Sequence, residues 1–174
     1  MIPERPRYSR RRLFALLGGA AAAVASCVGE PPLAHASDTP EALLTAVLDR
    51  LAARDRGGLD ALALSEEEFR RLVWPSLPAA RPERNLPFSY VWGDLHQKSD
   101  ASLRQVLARH GGRRYRLEHV RFEGETSAYA AVTVHRGAVV DVRDDGGESA
   151  AIRVCGSLVE RAGRWKVFSY VVDD

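Results

Sequence analysis

Sulfur is scarce in this chain. Its 174 residues include two cysteines, Cys27 and Cys155, and one methionine, Met1. A single conceivable pair cannot make the multiple cross-links of a disulfide-stapled scaffold, so the fold must rest on burial. Lysine is nearly absent too. Lys98 and Lys166 are the only two, and every other basic residue is arginine, a bias that GC-rich coding explains without a binding site. No apolar run is long enough to span a bilayer. The longest, Leu13 to Val28, has sixteen residues, which at about 1.5 Å per residue reach roughly 24 Å, short of the roughly 30 Å hydrocarbon core. An excess of one charge is also missing. Five of the 25 basic and two of the 23 acidic residues lie before Ser37, which leaves a net charge of −1 beyond it. That excludes a nucleic-acid partner gathered by positive charge. No repeat or low-complexity tract interrupts the remainder, which is long enough for one domain with a sizeable core.

What is present begins at the N-terminus. Arg5, Arg7, Arg10, Arg11 and Arg12 stand against a single Glu4, ahead of the apolar run, which is the charge pattern of a secretory signal. Ser9-Arg10-Arg11-Arg12-Leu13-Phe14 resembles the twin-arginine translocation motif, with Arg10 and Arg11 as the pair. Two junctions compete for cleavage. Val24-Ala25-Ser26-Cys27 resembles a lipoprotein box, with cleavage after Ser26 and lipidation of Cys27. Ala34-His35-Ala36 resembles the small-x-small site of ordinary signal peptidase, with release after Ala36. Valine three residues before Cys27 is a weaker match than leucine, which favours the cut after Ala36. The expectation is an exported protein, in the periplasm, cell envelope or outside the cell, either soluble or lipid-anchored. Residues 1–36 are then the signal and 37–174 one domain.

That domain reads as a helical half followed by a strand half. Thr39-Pro40-Glu41 opens a helix with a capping threonine, a proline in the first turn and an acid at the positive dipole end. Leu43, Leu44, Val47, Leu48 and Leu51 form its apolar stripe, and Gly57-Gly58 is the expected end. Ser65-Glu66-Glu67-Glu68 is a capping box for a short helix carrying Phe69, Leu72 and Val73, stopped by Pro75. Four prolines from Pro75 to Pro87 mark a long loop. Phe88, Trp92, Leu95, Ser99, Leu103, Val106 and Leu107 then follow one helical face until Gly111-Gly112.

Four strands are expected after it: Tyr115 to Glu123, Ser127 to Arg143 with a bulge at Gly137, Ser149 to Glu160, and Trp165 to Val172. Gly124 to Thr126, Asp145-Gly146 and Ala162-Gly163 supply the turns of an antiparallel meander. With Asp145-Gly146 as a two-residue turn, Arg143 faces Glu148 and Arg136 faces Cys155; with Ala162-Gly163 as the next, Cys155 faces Tyr170.

Helices ahead of a long, bent, four-stranded antiparallel sheet resemble the cone-shaped α+β folds of the nuclear transport factor two-like (SnoaL-like) superfamily, from Thr39 to Val172. The resemblance rests on element order, helix length and hairpin spacing, without a signature motif. Members usually place a strand between the early helices, and none is legible between Arg56 and Phe88. The resemblance implies an apolar pocket between the concave sheet face and the helices. It transfers no catalytic residue, and the catalytic residues of this chain, if any, are unknown.

Pairing through both turns places Arg136, Arg153, Cys155, Ser157, Phe168 and Tyr170 on one sheet face with Val134, Ala138 and Val172. These six are the expected ligand-binding residues: apolar walls with a few convergent polar groups, and two arginines beside a tyrosine hydroxyl to suit an anionic group. The other face, with Val139, Ile152, Val154, Leu158, Val167 and Val171, is the alternative seat of the helices, which would leave both arginines solvated. His96, His110, His119 and His135 lack metal-ligand spacing, so no metal and no cofactor are expected. Cys155 reads as a small core hydrophobe, and Asp94 with His96, or Asp141 with Asp144, lack a cleft. Trp74, Trp92 and Trp165 read as core or core-rim aromatics. Three functions stand in order: non-catalytic binding of a small amphipathic or anionic ligand; an interaction domain meeting a second copy or an envelope protein; and a small isomerase or hydrolase.

Overall fold

The computed structural model describes residues 32–172. Arg10, Arg11 and Cys27, and with them the export signal and the junction after Ser26, lie outside the described residues. The described residues belong to one compact unit, Pro32–Asp174, which begins ahead of the expected start at Ser37. The fold is α+β, with four α-helices and two antiparallel sheets among the described residues.

Local chemistry accounts for each helix. Helix α1 (Pro40–Ala52) is capped by the Thr39 hydroxyl, which accepts the Ala42 N–H at 3.1 Å, and its whole apolar stripe is buried. It ends earlier than expected, because Arg54 takes a left-handed φ of 53° and Asp55 then caps a second helix. That helix, α2 (Arg56–Leu62), has its Gly58 N–H donated to Asp55 at 2.9 Å. Gly57 and Gly58 therefore sit in the first turn of α2 and do not end α1. With Leu59 as its one buried side chain, α2 carries no apolar stripe by which its sequence could be read. Helix α3 (Glu66–Glu68) starts on the expected capping box and widens into a π-helical turn, Phe69–Val73. Pro75 has no N–H with which to extend the ladder, and three 3₁₀ turns carry the loop to Arg84. Helix α4 (Phe88–His110) runs 23 residues to Gly111.

The strand half differs from the four-stranded expectation. Seven strands form a three-stranded sheet ordered β1-β4-β5 and a four-stranded sheet ordered β2-β3-β6-β7: β1 Tyr115–Phe122, β2 Thr126–Ala128, β3 Thr133–Arg136, β4 Ala138–Asp144, β5 Ser149–Ile152, β6 Cys155–Arg161 and β7 Arg164–Tyr170. The long second strand is divided twice. Residues Tyr129–Val132 turn β2 onto β3, with Tyr129 N–H donating to Val132 C=O at 2.8 Å. Gly137, at the expected kink, takes φ 67° and passes the chain from β3 to β4; a Cβ there would come within 2.6 Å of the Gly124 backbone nitrogen.

Two expected pairings are corrected. Arg143 faces Ser149, and Arg136 faces Ser157. Asp144 and Glu148 close a three-residue turn in which Gly147 has φ 85°, the form in which a left-handed glycine follows a tight turn. That one extra residue moves the register, and a further slip before β6 moves it again. Ala162 and Gly163 form the expected turn, both at positive φ, and Cys155 does face Tyr170.

Side chains from the sheets enter two apolar cores. The first joins the α1 stripe, Leu59, Leu103 and Val106 to Val140, Val142, Val154, Leu158 and Val167. The second joins Leu33, Leu64, Phe69, Leu72 and Val73 to Val132, Val134 and Val159. Consecutive residues Leu158 and Val159 thus enter different cores, as alternation along a doubly covered strand requires.

One ion pair is buried with them. Lys166 lies across from Val159 on β7, and its ammonium donates to Glu68 Oε2 at 2.9 Å with only 2% of the lysine side chain exposed. The same carboxylate accepts the N–H groups of Ser65 and Ala34, each at 2.8 Å. Burial by itself raises the Glu68 carboxyl, but the N–H of Ser65, the Lys166 ammonium and the N–H of Ala34 outweigh it and hold the group below its ordinary 4.5.

Removing one partner of such a pair strands the other charge in the core. Lys166→Ala is expected to cost about 3–5 kcal/mol in chemical denaturation, and Glu68→Gln combined with Lys166→Met less than that. A folded value below the unfolded one means that the Glu68 contribution is full above about pH 4.5 and is lost as pH falls through the folded value. The gap in melting temperature between wild type and Glu68→Gln should therefore narrow in acid.

Candidate functional site

A cleft opens where α2, the start of α3 and the middle of α4 meet the end of β7. It encloses about 390 Å³ and is lined by Arg56 and Asp60 of α2, Ala63 to Glu66, Trp92, His96, Ser99, Asp100 and Leu103 of α4, and Tyr170. Helical spacing explains the α4 wall, since Trp92, His96, Ser99, Asp100 and Leu103 recur at three- and four-residue intervals and so share one face. A smaller apolar recess of about 40 Å³ adjoins it. The two share Ala63, Leu64, Trp92, His96 and Ser99, and Phe69, Leu95, Phe168 and Ser169 extend the recess inward.

Tyr170 holds the floor together. Its N–H donates to the Ser99 hydroxyl at 3.0 Å, and its buried hydroxyl donates to the Leu59 carbonyl at 2.7 Å. That carbonyl lies in the last turn of α2, where the helix itself offers no N–H. Burial, with neighbouring Cys155 and Asp60, pushes the Tyr170 phenol above its ordinary value, so the ring stays a neutral donor.

The rim carries charge in compensated form. Asp100 is ion-paired with Arg56 across the cleft and with Arg104 one turn along α4. Arg56 also approaches Asp60 at 3.6 Å, and Glu66 pairs with Arg70 at 2.8 Å. His96 stacks on the Trp92 indole, ring centres 5.5 Å apart, and Trp92 in turn packs on Phe69 at 5.3 Å. Among the described residues no side chain hydrogen-bonds the His96 ring, whose contact is the stack on Trp92. No group of three or more His, Cys, Asp or Glu is placed to hold a metal ion, and no helix is long and apolar enough to cross a membrane, among the described residues.

The six residues expected to bind ligand are dispersed. Tyr170 lines the cleft and Phe168 the recess. Cys155 is fully buried in the first core, where burial pushes its thiol up and keeps it from acting as a thiolate. Arg136 is exposed and donates to the Ser127 hydroxyl at 2.5 Å, with the Tyr129 hydroxyl at 3.5 Å. Arg153 pairs with Glu123, and Ser157 lies half-buried opposite Arg136. Irregularities between Cys155 and Leu158 break the two-residue alternation on which the expected face depended. On the three-stranded sheet Arg121 is likewise taken by Asp141 at 3.0 Å and Glu123 at 2.7 Å, and Arg143 by Glu118 at 2.7 Å.

Sequence reasoning missed Arg56, Asp60 and Asp100. The available signal was Ser99, a polar residue on the apolar face of α4, with His96 and Asp100 flanking it. Comparison with known protein families, with curated proteins and with solved structures finds no match to this chain.

Tyr170→Phe removes the one group among the described residues that satisfies the Leu59 carbonyl from outside α2. A loss of about 1–3 kcal/mol is expected, with faster amide hydrogen exchange concentrated in α2. Uniform acceleration across all helices would contradict this role.

Proposed function

We propose that this chain is an exported domain that binds a small amphipathic molecule, without catalysis, in the cleft between α2 and α4. The carrying observation is a cleft of about 390 Å³, lined mostly by polar and charged side chains, that is continuous with a small apolar recess; a concave site of this volume that joins apolar surface to orienting polar groups is where small molecules bind. Leu64, Trp92, Leu103 and Phe168 offer the apolar surface. Asp60, Glu66 and Asp100 at the mouth are offset by Arg56, Arg70 and Arg104, which suits a neutral polar end better than the anionic end for which Arg136 and Arg153 argued.

The nuclear transport factor two-like reading belongs with this proposal. Helices precede the sheets, the chain kinks at Gly137, and a lone parallel bridge joins Ala63 to Val167, in the interval where that superfamily usually has a strand. These features support a cone-like arrangement with its ligand at the helix-covered end. Export is supported by the Arg10-Arg11 pair and the apolar run that follows it.

Native mass spectrometry of the protein from its own envelope fraction should show a retained small molecule. Ala63→Trp, placed where cleft and recess meet, should abolish that mass while the protein stays folded. Bare polypeptide in the wild type would overturn the binding reading. For export, Arg10→Lys with Arg11→Lys should leave the precursor in the cytoplasm; unchanged delivery would refute the twin-arginine address.

A second reading has one observation in its favour. Leu86 and Tyr90, 41% and 68% exposed, are the large hydrophobic residues left open among the described ones, and both lie where the proline loop enters α4. Such a corner suits a second copy of the chain or an envelope protein. Concentration-dependent sedimentation that Tyr90→Ser abolishes would favour it over the cleft.

A further inference from the structure

The residues just ahead of the expected cut after Ala36 are part of the fold. Leu33 is 6% exposed within the second core, together with Leu64, Phe69 and Val159. The Ala34 N–H donates to Glu68 Oε1 at 2.8 Å and is one of three donors that keep that buried carboxylate satisfied. The Ala36 carbonyl accepts from Arg164, whose guanidinium also pairs with Asp38. Ser37 exchanges two backbone hydrogen bonds with Trp165, at 2.9 and 2.8 Å. The Ala36–Ser37 peptide bond is therefore held against β7 on both sides.

A cut at that bond would carry Leu33 out of the second core and leave Oε1 of Glu68 without its N–H donor, inside a site where an unmet charge is costly. It would also place a new α-ammonium at the nitrogen that now donates to Trp165. Peptide bonds paired in this way are poor places for processing, which concentrates in exposed, unpaired backbone.

We infer that the export signal is removed upstream of Leu33 and that Leu33–Ser37 remains on the mature protein. Of the two junctions the sequence offers, only the one between Ser26 and Cys27 meets this condition; hydrolysis there adds water across the peptide bond, giving a Ser26 carboxylate and a Cys27 amine. The inference rests on the export reading above. It reverses the preference for Ala36 that the residues around Cys27 suggested, because the decisive fact is tertiary: what Leu33 and Ala34 touch lies far along the chain.

The test is the N-terminal residue of the full-length gene product, purified from the envelope of the cells that make it and read by intact mass and peptide mapping. A mature chain that begins at Cys27, or anywhere from Cys27 to Leu33, is the expected result. A chain that begins at Ser37 overturns the inference and leaves export standing. A full-length chain with Met1, found in the cytoplasm alone, overturns export and the inference with it. Ala34→Leu provides an independent arm. Its side chain is exposed, so the fold tolerates it, yet it spoils the small-x-small site. The N-terminus and the amount processed should be unchanged, whereas precursor accumulating more than about tenfold would show that the Ala36 junction is the one used.

Discussion

The fold turns on one buried carboxylate. A carboxylate and an ammonium taken out of water each carry a penalty of several kcal/mol unless their hydrogen-bonding capacity is met, and here Glu68 meets it from three directions. The Ser65 N–H comes from its own helix cap, the Lys166 ammonium from the sheet, and the Ala34 N–H from the segment ahead of α1. Satisfying that group requires three separate parts of the chain to meet at one point. The helix cap, the register of β7 and the path of the N-terminal segment thus answer to the same constraint.

The cleft inherits its shape from that junction through β7. Within five residues this strand supplies Lys166 to the buried pair, Val167 as the acceptor for the Leu64 N–H, Phe168 to the apolar recess and Tyr170 to the cleft floor. Ser65 and Leu64 border the pair on one side and the cleft on the other. Tyr170 then ties α2 to α4 through Leu59 and Ser99. Polar contacts thus lie beneath the space between those helices.

Local signals were legible where the chemistry is local. The Thr39 cap, the stripe from Leu43 to Leu51, the Ser65–Glu68 box and the long face of α4 each follow from residues within a few positions of one another, and each stands where the sequence placed it. The Ala162-Gly163 turn is of the same kind. Sheet detail failed where one residue changes everything after it. Gly147 lengthened a turn, Gly137 split a strand, and irregular pairing near Ser157 put Cys155 and Leu158 into a single core. The expected ligand face was built on unbroken alternation and dissolved with it. Lys166 was invisible for another reason. Nothing within a few positions of Lys166 marks it as buried, and its partner Glu68 stands 98 residues earlier. Arg56 and Asp100, 44 residues apart, escaped notice likewise.

The central claim is that the carboxylate of Glu68 binds the segment before α1 into the folded body. Amide hydrogen exchange at Ala34, measured by NMR on a chain that retains this residue, addresses it directly. The account predicts protection at the Ala34 N–H comparable to that of Ser37 and Trp165, and its loss in Glu68→Leu together with Lys166→Met, which removes the acceptor oxygen. Exchange at Ala34 as fast as in an open peptide, while the β7 amides stay protected, would contradict it.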